Sequence, residues 1–366
     1  HYPLRRQRQM CIRDRYADVR RGLTRCRPAF VRMESRRALL PISACAGKAT
    51  VRRSIKRTLL VLTAIGGVLA VGLTTTTIVN AVATATERDR VEPYGQTVVV
   101  DGREINVLVA GEGATDIVLL PGFGTASPVL DFAPLVSDLA EDHRLIVVEP
   151  FGYGLSDGTD TERTTENIIG EIHEALRVLQ VDEYVLMGHS IAGIYAIEYA
   201  ERYPDEVTAF VGIDTSVPGQ PNMDTEFPVG LLGAAKSLGL VRVITSLTGD
   251  DLGGLDYDDD AREQMALLSN RNSLSPTYLD EMTHIRTNFA DAAGTGFPDR
   301  LPLLLFVVAD NAVTPNWLDL HERQAAAVDD GTVIPVDGEH YLHHTHAPEI
   351  ADGFREWEGA RMLGSG

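Results

Sequence analysis

A short stretch around Ser190 limits the folds open to this chain of 366 residues more than any other segment. Residues 184–187 are apolar and predict a buried strand, and residues 191–203 have the spacing of an amphipathic helix. Between them, small residues allow a turn so sharp that the serine would be held out above the end of a sheet. The pattern is that of a nucleophile elbow, G-x-S-x-G, with Ala192 at the last position and Gly193 after it. Ser190 is therefore the candidate nucleophile.

The charge of the chain changes sign between its two ends. Residues 1–58 carry 17 Lys and Arg against 3 Asp and Glu, whereas the rest carries 49 acidic and 16 basic side chains. An acidic surface repels nucleic acid, so we expect no nucleic-acid partner. All three cysteines (Cys11, Cys26 and Cys45) lie in the basic part. Their position excludes a thiol nucleophile, a cysteine-ligated metal and a disulfide framework from the rest of the chain.

The basic segment, residues 1–57, precedes an uncharged run over residues 58–86. Residues 1–32 are rich in arginine without periodicity, and Met10-Cys-Ile-Arg-Asp-Arg15 resembles a translated sequencing adapter. We leave these 32 residues out of the fold prediction and take Met33 as a candidate start. At about 1.5 Å per residue, about 20 residues of the uncharged run would cross a hydrocarbon core of about 30 Å.

Two interpretations fit the uncharged run. A retained helix would anchor the protein in the cell membrane by a single pass. A signal peptide would instead be cleaved near the A-x-A sequences at residues 81–83 or 83–85, and the protein would be secreted. We favour the anchor. Under both interpretations the basic flank places the N-terminus in the cytoplasm and residues 87–366 outside it.

Beyond residue 94 the signals for strands and helices alternate. Asp101-Gly102 joins two strands into a hairpin, and later strands at about residues 117–120, 145–148, 209–213, 303–308 and 333–336 are separated by helical segments. This alternation predicts the α/β class, with a mainly parallel, doubly wound sheet that begins with an antiparallel hairpin. It breaks down over about residues 217–298, which are mostly helical. We expect this segment to form a cap over the strand ends, where open α/β sheets bind ligands.

Four motifs in this order give residues 94–358 a resemblance to α/β-hydrolases of the capped, serine-nucleophile type. They are Leu120-Pro-Gly-Phe-Gly124, Glu149-Pro-Phe-Gly-Tyr-Gly-Leu-Ser-Asp157, Gly188-His-Ser-Ile-Ala-Gly193, and Gly338-Glu-His340 with Pro348 eight residues later. Each motif alone is weak, but together, over some 265 residues, they are characteristic of the family. The resemblance implies one hydrolase domain over residues 87–366.

The resemblance also implies a catalytic triad. Ser190 needs a base to take its proton, and His340 stands after the last strand, where the family keeps that histidine. The family places the acid after the penultimate strand, where Asp310 ends the strand, although counting back from Pro315 selects Asn311. Asp214, after the strand that follows the elbow helix, is the alternative acid. We favour Asp310.

Two backbone N–H groups, of Phe123 and Ile191, are expected to form the oxyanion hole. The family often has His-Gly where this chain has Pro121-Gly122, but a main-chain donor does not depend on that side chain. His340 and His344 are four residues apart without an H-E-x-x-H pattern, so we expect no metal site. The expected chemistry requires no cofactor.

These residues suggest a serine hydrolase that acts through an acyl-enzyme on carboxylic esters of small to medium apolar substrates. The alternatives are hydrolysis of C–C or amide bonds, a cofactor-free haloperoxidase-like activity, and a hydrolase-fold binding protein without catalysis. Epoxide hydrolases and haloalkane dehalogenases are disfavoured, since in this fold they carry Asp where Ser190 stands. The expected partners are a small-molecule substrate and, through the apolar run, a membrane. The sequence leaves the oligomeric state open.

Overall fold

A computed structural model describes residues 46–248 and 257–364. The predictions for residues 1–45, which include the adapter-like stretch and Met33, lie outside the described residues, as does part of the acidic segment after residue 248. The chain divides between Thr63 and Ala64 into two units. Of the first unit, the structure describes only the beginning of helix α1 (Ala46–Arg88). The second unit holds the remainder of α1 and the segments that follow.

The second unit is built on one sheet of eight strands in the order β1-β2-β4-β3-β5-β6-β7-β8. The strands are β1 (Gln96–Val100), β2 (Arg103–Ala110), β3 (Asp116–Leu120), β4 (Arg144–Glu149), β5 (Tyr184–His189), β6 (Val207–Ile213), β7 (Leu303–Val308) and β8 (Gly331–Val336). Strand β2 runs antiparallel to both β1 and β4, and the other neighbours are parallel. The predicted α/β class, with an antiparallel start and a mainly parallel sheet, is confirmed.

Helices cover both faces of this sheet, as the alternation of strands and helices predicts. They are α2 (Pro128–Asp131), α3 (Ala133–Leu139), α4 (Thr165–Val178), α5 (Ala192–Arg202), α10 (Trp317–Ala325), α11 (Leu342–Thr345) and α12 (Ala347–Gly364). Successive residues of a strand point to opposite faces. Val118 therefore joins the core under α4 and α5, while Leu119 joins the core under α3 and α12. The sheet is doubly wound.

The segment between β6 and β7 contains four described helices, α6 (Val229–Ser237), α7 (Leu240–Thr248), α8 (Asp259–Asn272) and α9 (Pro276–Asp291). The sequence predicts helices that correspond to α6, α8 and α9 but not α7. Helix α7 was missed because Gly239 reads as the end of a helix. In the structure Gly239, at φ +73°, is the bend between two helices that meet at 84°.

Helix α1 contains the uncharged run. Its portion Ser54–Arg88 is 35 residues long, reaches a mean hydropathy of 2.0 and buries none of its most apolar stretch. It is thus long and apolar enough to cross a membrane. A retained anchor and a signal peptide share this property, so the choice between them stays a prediction.

Candidate active site

Ser190 occupies the turn between β5 and α5, at φ 56°. This left-handed conformation is unusual for a residue with a side chain. The neighbours must be small: a Cβ on Gly188 would lie 2.7 Å from the Cβ of Ala192, and one on Gly193 would lie 2.4 Å from the carbonyl oxygen of Ser216. The local sequence therefore builds the sharp turn that the motif predicts, with Ala192 buried in it.

Three side chains from different loops form a hydrogen-bonded chain at the carboxyl ends of the strands. The Nε2 atom of His340, in the loop after β8, lies 3.1 Å from Ser190 Oγ. On the other side of the ring, His340 Nδ1 donates to Asp214 Oδ2 at 2.6 Å. A carboxylate can only accept, so the ring proton sits on Nδ1 and Nε2 is left to receive the serine proton. This is the arrangement of a Ser-His-Asp triad.

The carboxylate that His340 contacts is that of Asp214. Asp214 directly follows β6, is completely buried and stands at φ 45°. Its second oxygen, Oδ1, accepts from the backbone N–H of Val308 at 3.0 Å and from Trp317 Nε1 at 2.6 Å. These bonds fix the carboxylate in the plane that His340 needs.

Asp310 was our first choice for the acid, but in the structure the hydrogen bond of His340 Nδ1 goes to Asp214, so Asp214 replaces it in our proposal. The residue is exposed, and within the described residues it makes no hydrogen bond to His340. Asn311 stabilises the turn after it, because its Oδ1 accepts from the N–H groups of Val313 and Thr314 at 2.9 and 2.8 Å. Both aspartates follow a parallel strand, and the sequence favoured Asp310 because the family places its acid after the penultimate strand. The two aspartates differ in which of them the folded chain brings to His340.

Phe123 and Ile191 each stand next to a residue that forms or contacts the elbow, and their backbone N–H groups are the candidate oxyanion donors. Gly122 touches the elbow so closely that a Cβ there would lie 3.2 Å from Ser190 Cβ, which places the next residue, Phe123, at the nucleophile. Ile191 follows Ser190 at the start of α5. Within the described residues, neither N–H has a protein acceptor. Two unpartnered donors beside the nucleophile are what an oxyanion hole requires.

His189 supports the loop of His340 from below. Its Nε2–H donates to the carbonyl oxygen of His340 at 3.1 Å, and its Nδ1 has no partner. Burial, assisted by the neighbouring His343 and His340, lowers the pKa of His189 well below its usual value. His189 therefore stays neutral, in the tautomer that keeps this hydrogen bond.

Asp131 joins two histidines of the same loop, and sequence reasoning missed it. Its oxygens accept from His343 Nε2 at 2.9 Å and from His344 Nε2 at 2.8 Å. Burial alone would raise the pKa of Asp131, but the two histidines hold it well below its usual range. By distance these three groups could hold a metal ion, since their ligand atoms lie within 4.8 Å of one another. The two hydrogen bonds make the cluster a brace for the chain that follows His340, and the expectation of no metal site stays a prediction.

Glu281 of α9 fastens the helical segment to the site. Its carboxylate accepts from the hydroxyls of Tyr153 and Tyr195, each at 2.9 Å, and the Tyr153 hydroxyl accepts from the N–H of Gly124 at 3.4 Å. Burial is the main reason that the pKa of Glu281 is raised. The oxyanion loop and α9 are thus linked through one buried tyrosine, Tyr153.

Tyr278, also on α9, reaches the oxyanion loop directly. Its ring packs on Phe123 with centroids 4.7 Å apart, and a Cβ on Gly124 would lie 3.0 Å from its hydroxyl. The segment between β6 and β7 therefore contributes an aromatic wall beside the nucleophile.

Comparisons with known proteins identify the fold family. Residues 116–347 match the family model of the alpha/beta hydrolase fold. Because the match covers more than half of the chain, the protein belongs to the alpha/beta hydrolase fold family.

Among curated proteins, the chain is similar to a putative non-heme haloperoxidase of Mycobacterium phage D29, 25% identical over 256 residues that cover 66% of this chain and 87% of that protein. It is also similar to the uncharacterized protein YbdG of Bacillus subtilis strain 168, 33% identical over 127 residues, 34% of this chain and 39% of that protein. A third relative is the 1-acylglycerol-3-phosphate O-acyltransferase ABHD5 of Rattus norvegicus, 29% identical over 131 residues, 33% of this chain and 37% of that protein. The chain thus spans about two fifths of the length of the last two.

Solved structures share the fold at low identity. Cfl2 from Burkholderia cenocepacia has a TM-score of 0.55 at 19% identity, covering 72% of this chain and 94% of that one. The epoxide hydrolase VrEH1 from Vigna radiata has a TM-score of 0.57 at 16% identity, covering 73% and 98%. Likeness at this level of identity concerns the fold alone.

Proposed function

We propose that this protein is a serine hydrolase that forms an acyl-enzyme, with Ser190 as nucleophile, His340 as base and Asp214 as acid. The observation that carries the proposal is the continuous chain of hydrogen bonds from Ser190 Oγ through the His340 ring to the buried Asp214 carboxylate. A serine hydroxyl is a weak nucleophile on its own, and this chain is the means by which proteins activate one.

The first half of the reaction follows from these contacts. His340 Nε2 takes the proton of Ser190 Oγ as that oxygen attacks the substrate carbonyl, and Asp214 stabilises the imidazolium through Nδ1–H. The carbonyl oxygen gains negative charge and accepts from the N–H groups of Phe123 and Ile191. When the tetrahedral intermediate collapses, His340 gives its proton to the departing alcohol, and the acyl group stays on Ser190.

The second half repeats the chemistry with water. His340 removes a proton from a water molecule that attacks the acyl-enzyme, and it returns the proton to Ser190 as the carboxylic acid leaves. Every proton is passed through one ring, so the cycle regenerates the starting state and needs no cofactor.

We propose carboxylic esters with an apolar acyl group as the substrates. Phe123 and Tyr278 form an aromatic wall beside Ser190, and Ile191 is buried next to it. Such a wall favours an apolar group and excludes water from the acyl-enzyme. Hydrolysis of amide or C–C bonds by the same residues, and binding without catalysis, are the competing hypotheses.

We further propose that α1 is retained as a single-pass anchor in the cell membrane and that the hydrolase domain lies outside the cytoplasm. The length and hydropathy of Ser54–Arg88 and the basic residues before it support this topology. Secretion after cleavage is the competing hypothesis. Carbonate extraction of membranes separates the two, because an anchored protein stays in the pellet and a cleaved one appears in the medium.

A fluorophosphonate probe tests the catalytic proposal. We expect the wild-type protein to be labelled at Ser190 and the Ser190→Ala variant to remain unlabelled. A series of p-nitrophenyl esters and matched anilides then ranks ester against amide hydrolysis. Absence of an adduct in the folded wild-type protein would contradict the hydrolase proposal and favour a binding protein.

A further inference from the structure

The cap segment around α6 and α7 differs in charge from the rest of the domain. Residues 227–249 contain no Asp or Glu, within a domain that is otherwise strongly acidic. The two cations in this stretch are both turned toward protein. Lys236 Nζ donates to the carbonyl oxygens of Asn270 and Ser273 at 2.5 and 2.7 Å, and Arg242 pairs with Glu87 at 2.5 and 2.8 Å. The outward surface therefore carries no charge.

That outward surface is apolar and exposed. Leu231 is 70% exposed, Ile244 59% and Leu247 80%, and Phe227 and Val243 also face outward. Large apolar side chains grouped in this way on a soluble surface mark an interaction site. We name this group, Phe227, Leu231, Val243, Ile244 and Leu247, the apolar cap surface.

The bend between α6 and α7 packs directly on α1. A Cβ on Gly239 would lie 2.5 Å from the carbonyl oxygen of Thr76 and 2.8 Å from the Cβ of Asn80. Arg242 reaches Asn80 Oδ1 at 3.1 Å as well as Glu87. These contacts fix the position of the apolar cap surface along α1, beside Thr76 and Asn80.

This position on α1 is where the helix would leave the hydrocarbon core of a bilayer. If the hydrocarbon core begins after Arg57, the last charge before the run, about 20 residues at about 1.5 Å each cross about 30 Å and end near residue 78. Thr76 and Asn80, which touch the bend, lie on either side of that residue. The contacts therefore hold the apolar cap surface at the boundary between lipid and water.

We infer that the apolar cap surface rests in the outer interfacial layer of the bilayer that α1 crosses, and that the substrate enters the site from the lipid. The inference rests on the proposed anchor and on the proposed ester hydrolysis. Uncharged apolar side chains beside a membrane-spanning helix gain free energy from burial in that layer, whereas the acidic remainder of the domain favours water.

The same segment leads from the lipid boundary to the nucleophile. Helix α6 packs on α9 where a Cβ on Gly233 would lie 3.0 Å from Leu279 Cδ1. The preceding residue, Tyr278, packs on Phe123 beside Ser190. A substrate of this route would be an ester with a long acyl chain, dissolved in the bilayer, whose carbonyl reaches Ser190 while its chain follows the cap.

A depth measurement tests the membrane contact without any need for activity. The full chain, with its three cysteines replaced by serine, carries a nitroxide on Leu247→Cys in phosphatidylcholine vesicles. We expect the label to be accessible to oxygen and protected from a water-soluble nickel complex. The control is Val178→Cys, an exposed valine at the opposite edge of the sheet, whose label should face water. Equal water exposure of both labels overturns the inference, and so does spin broadening between copies of the chain, which would assign the surface to a second copy.

An activity measurement tests the entry route separately. Ile244→Asp with Leu247→Asp should lower hydrolysis of a long-chain fluorogenic ester in the vesicles by about tenfold or more, because two charges oppose burial in the interface. Hydrolysis of water-soluble p-nitrophenyl butyrate should not change. Unchanged vesicle hydrolysis in the double variant overturns the entry route. A wild-type protein inactive on both esters, with Leu247 in lipid, would instead contradict the hydrolase proposal alone.

Discussion

The indole N–H of Trp317 donates to Asp214 Oδ1 at 2.6 Å, while the other oxygen of that carboxylate holds His340. The hydrogen bond from Trp317, on α10, thus fixes the orientation of the Asp214 carboxylate, and that carboxylate orients the ring of His340. Trp317 does not touch the reacting atoms and is a positioning residue.

Trp317→Phe should lower kcat by roughly tenfold to hundredfold and leave KM nearly unchanged. A hydrogen bond to a charged group contributes about 1.5–3 kcal/mol, and its loss frees the carboxylate to rotate. Steady-state kinetics on a p-nitrophenyl ester measures the effect. Trp357→Phe is the matched control, since its buried Nε1 has no hydrogen-bond partner among the described residues, and it should keep full activity. Equal losses in both variants would point to packing and not to orientation.

Asp214→Asn should lower kcat by about 10⁴, because an amide cannot stabilise the imidazolium and favours the wrong tautomer of His340. Asp310→Asn should have no effect, since that side chain is exposed. The pair is compared by kcat and by the rate of fluorophosphonate labelling. A large loss in Asp310→Asn with full activity in Asp214→Asn would reverse our assignment of the acid.

Gly122→Ala should lower kcat by about 10²–10³, the loss expected when one oxyanion donor is displaced. The new Cβ would lie 2.7 Å from His189 Nδ1, so the loop that carries Phe123 must shift. Gly170→Ala, in the middle of α4 with open space around the new Cβ, is the control and should raise stability by about 0.5–1 kcal/mol. Kinetics and thermal denaturation are measured for both. Wild-type kcat in Gly122→Ala would count against the Phe123 donor.

Glu281→Ala should destabilise the protein by about 2–5 kcal/mol, because the hydroxyls of Tyr153 and Tyr195 would be left buried without an acceptor. Limited proteolysis should cut first in the segment between β6 and β7, which loses its attachment. Asp291→Ala, exposed at the end of the same helix, should change stability by less than about 0.5 kcal/mol. Similar protease sensitivity in the two variants would show that Glu281 does not hold the segment.

The cluster of His143 with Asp142 and Glu358 should make stability depend on pH. The ring donates to both carboxylates, at 2.8 and 2.9 Å. Burial opposes the charged ring, but the two carboxylates raise the pKa of His143 above its usual value and their own pKa values are lowered. A histidine whose pKa is raised in the folded state stabilises the fold fully at pH values below its unfolded-state pKa, about 6.5. That stabilisation is lost as the pH rises through the folded-state pKa.

Urea denaturation of the wild type and of His143→Gln at pH 6 and pH 9 measures this effect. The difference in unfolding free energy between the two proteins should be larger at pH 6, where the ring is charged and both carboxylates are ionised. A difference that does not change between the two pH values would mean that the ring acts only by packing.

Much of the fold could be predicted because it depends on local patterns. Apolar strands and amphipathic helices can be recognised from short stretches of sequence. The turn around Ser190 can be recognised because it needs only small neighbouring residues. The acid could not be chosen in this way. Both Asp214 and Asp310 follow a parallel strand, and the choice depends on which of the two the fold brings to His340. Asp131 and Glu281 gave no sequence signal, since their partners lie more than 80 residues away.

Two residues of the proposed triad, Ser190 and Asp214, end neighbouring strands in the left-handed conformation, at φ 56° and 45°. Each costs the native state about 1 kcal/mol or more relative to a residue without a side chain. A chain selected only to fold would carry glycine at position 190, whereas the Asp214 side chain also satisfies the buried N–H groups of Val308 and Trp317. The strain at Ser190 therefore marks where this sequence gives up stability for chemistry, and a Ser190→Gly variant would be expected to tolerate heat as well as the wild type or better.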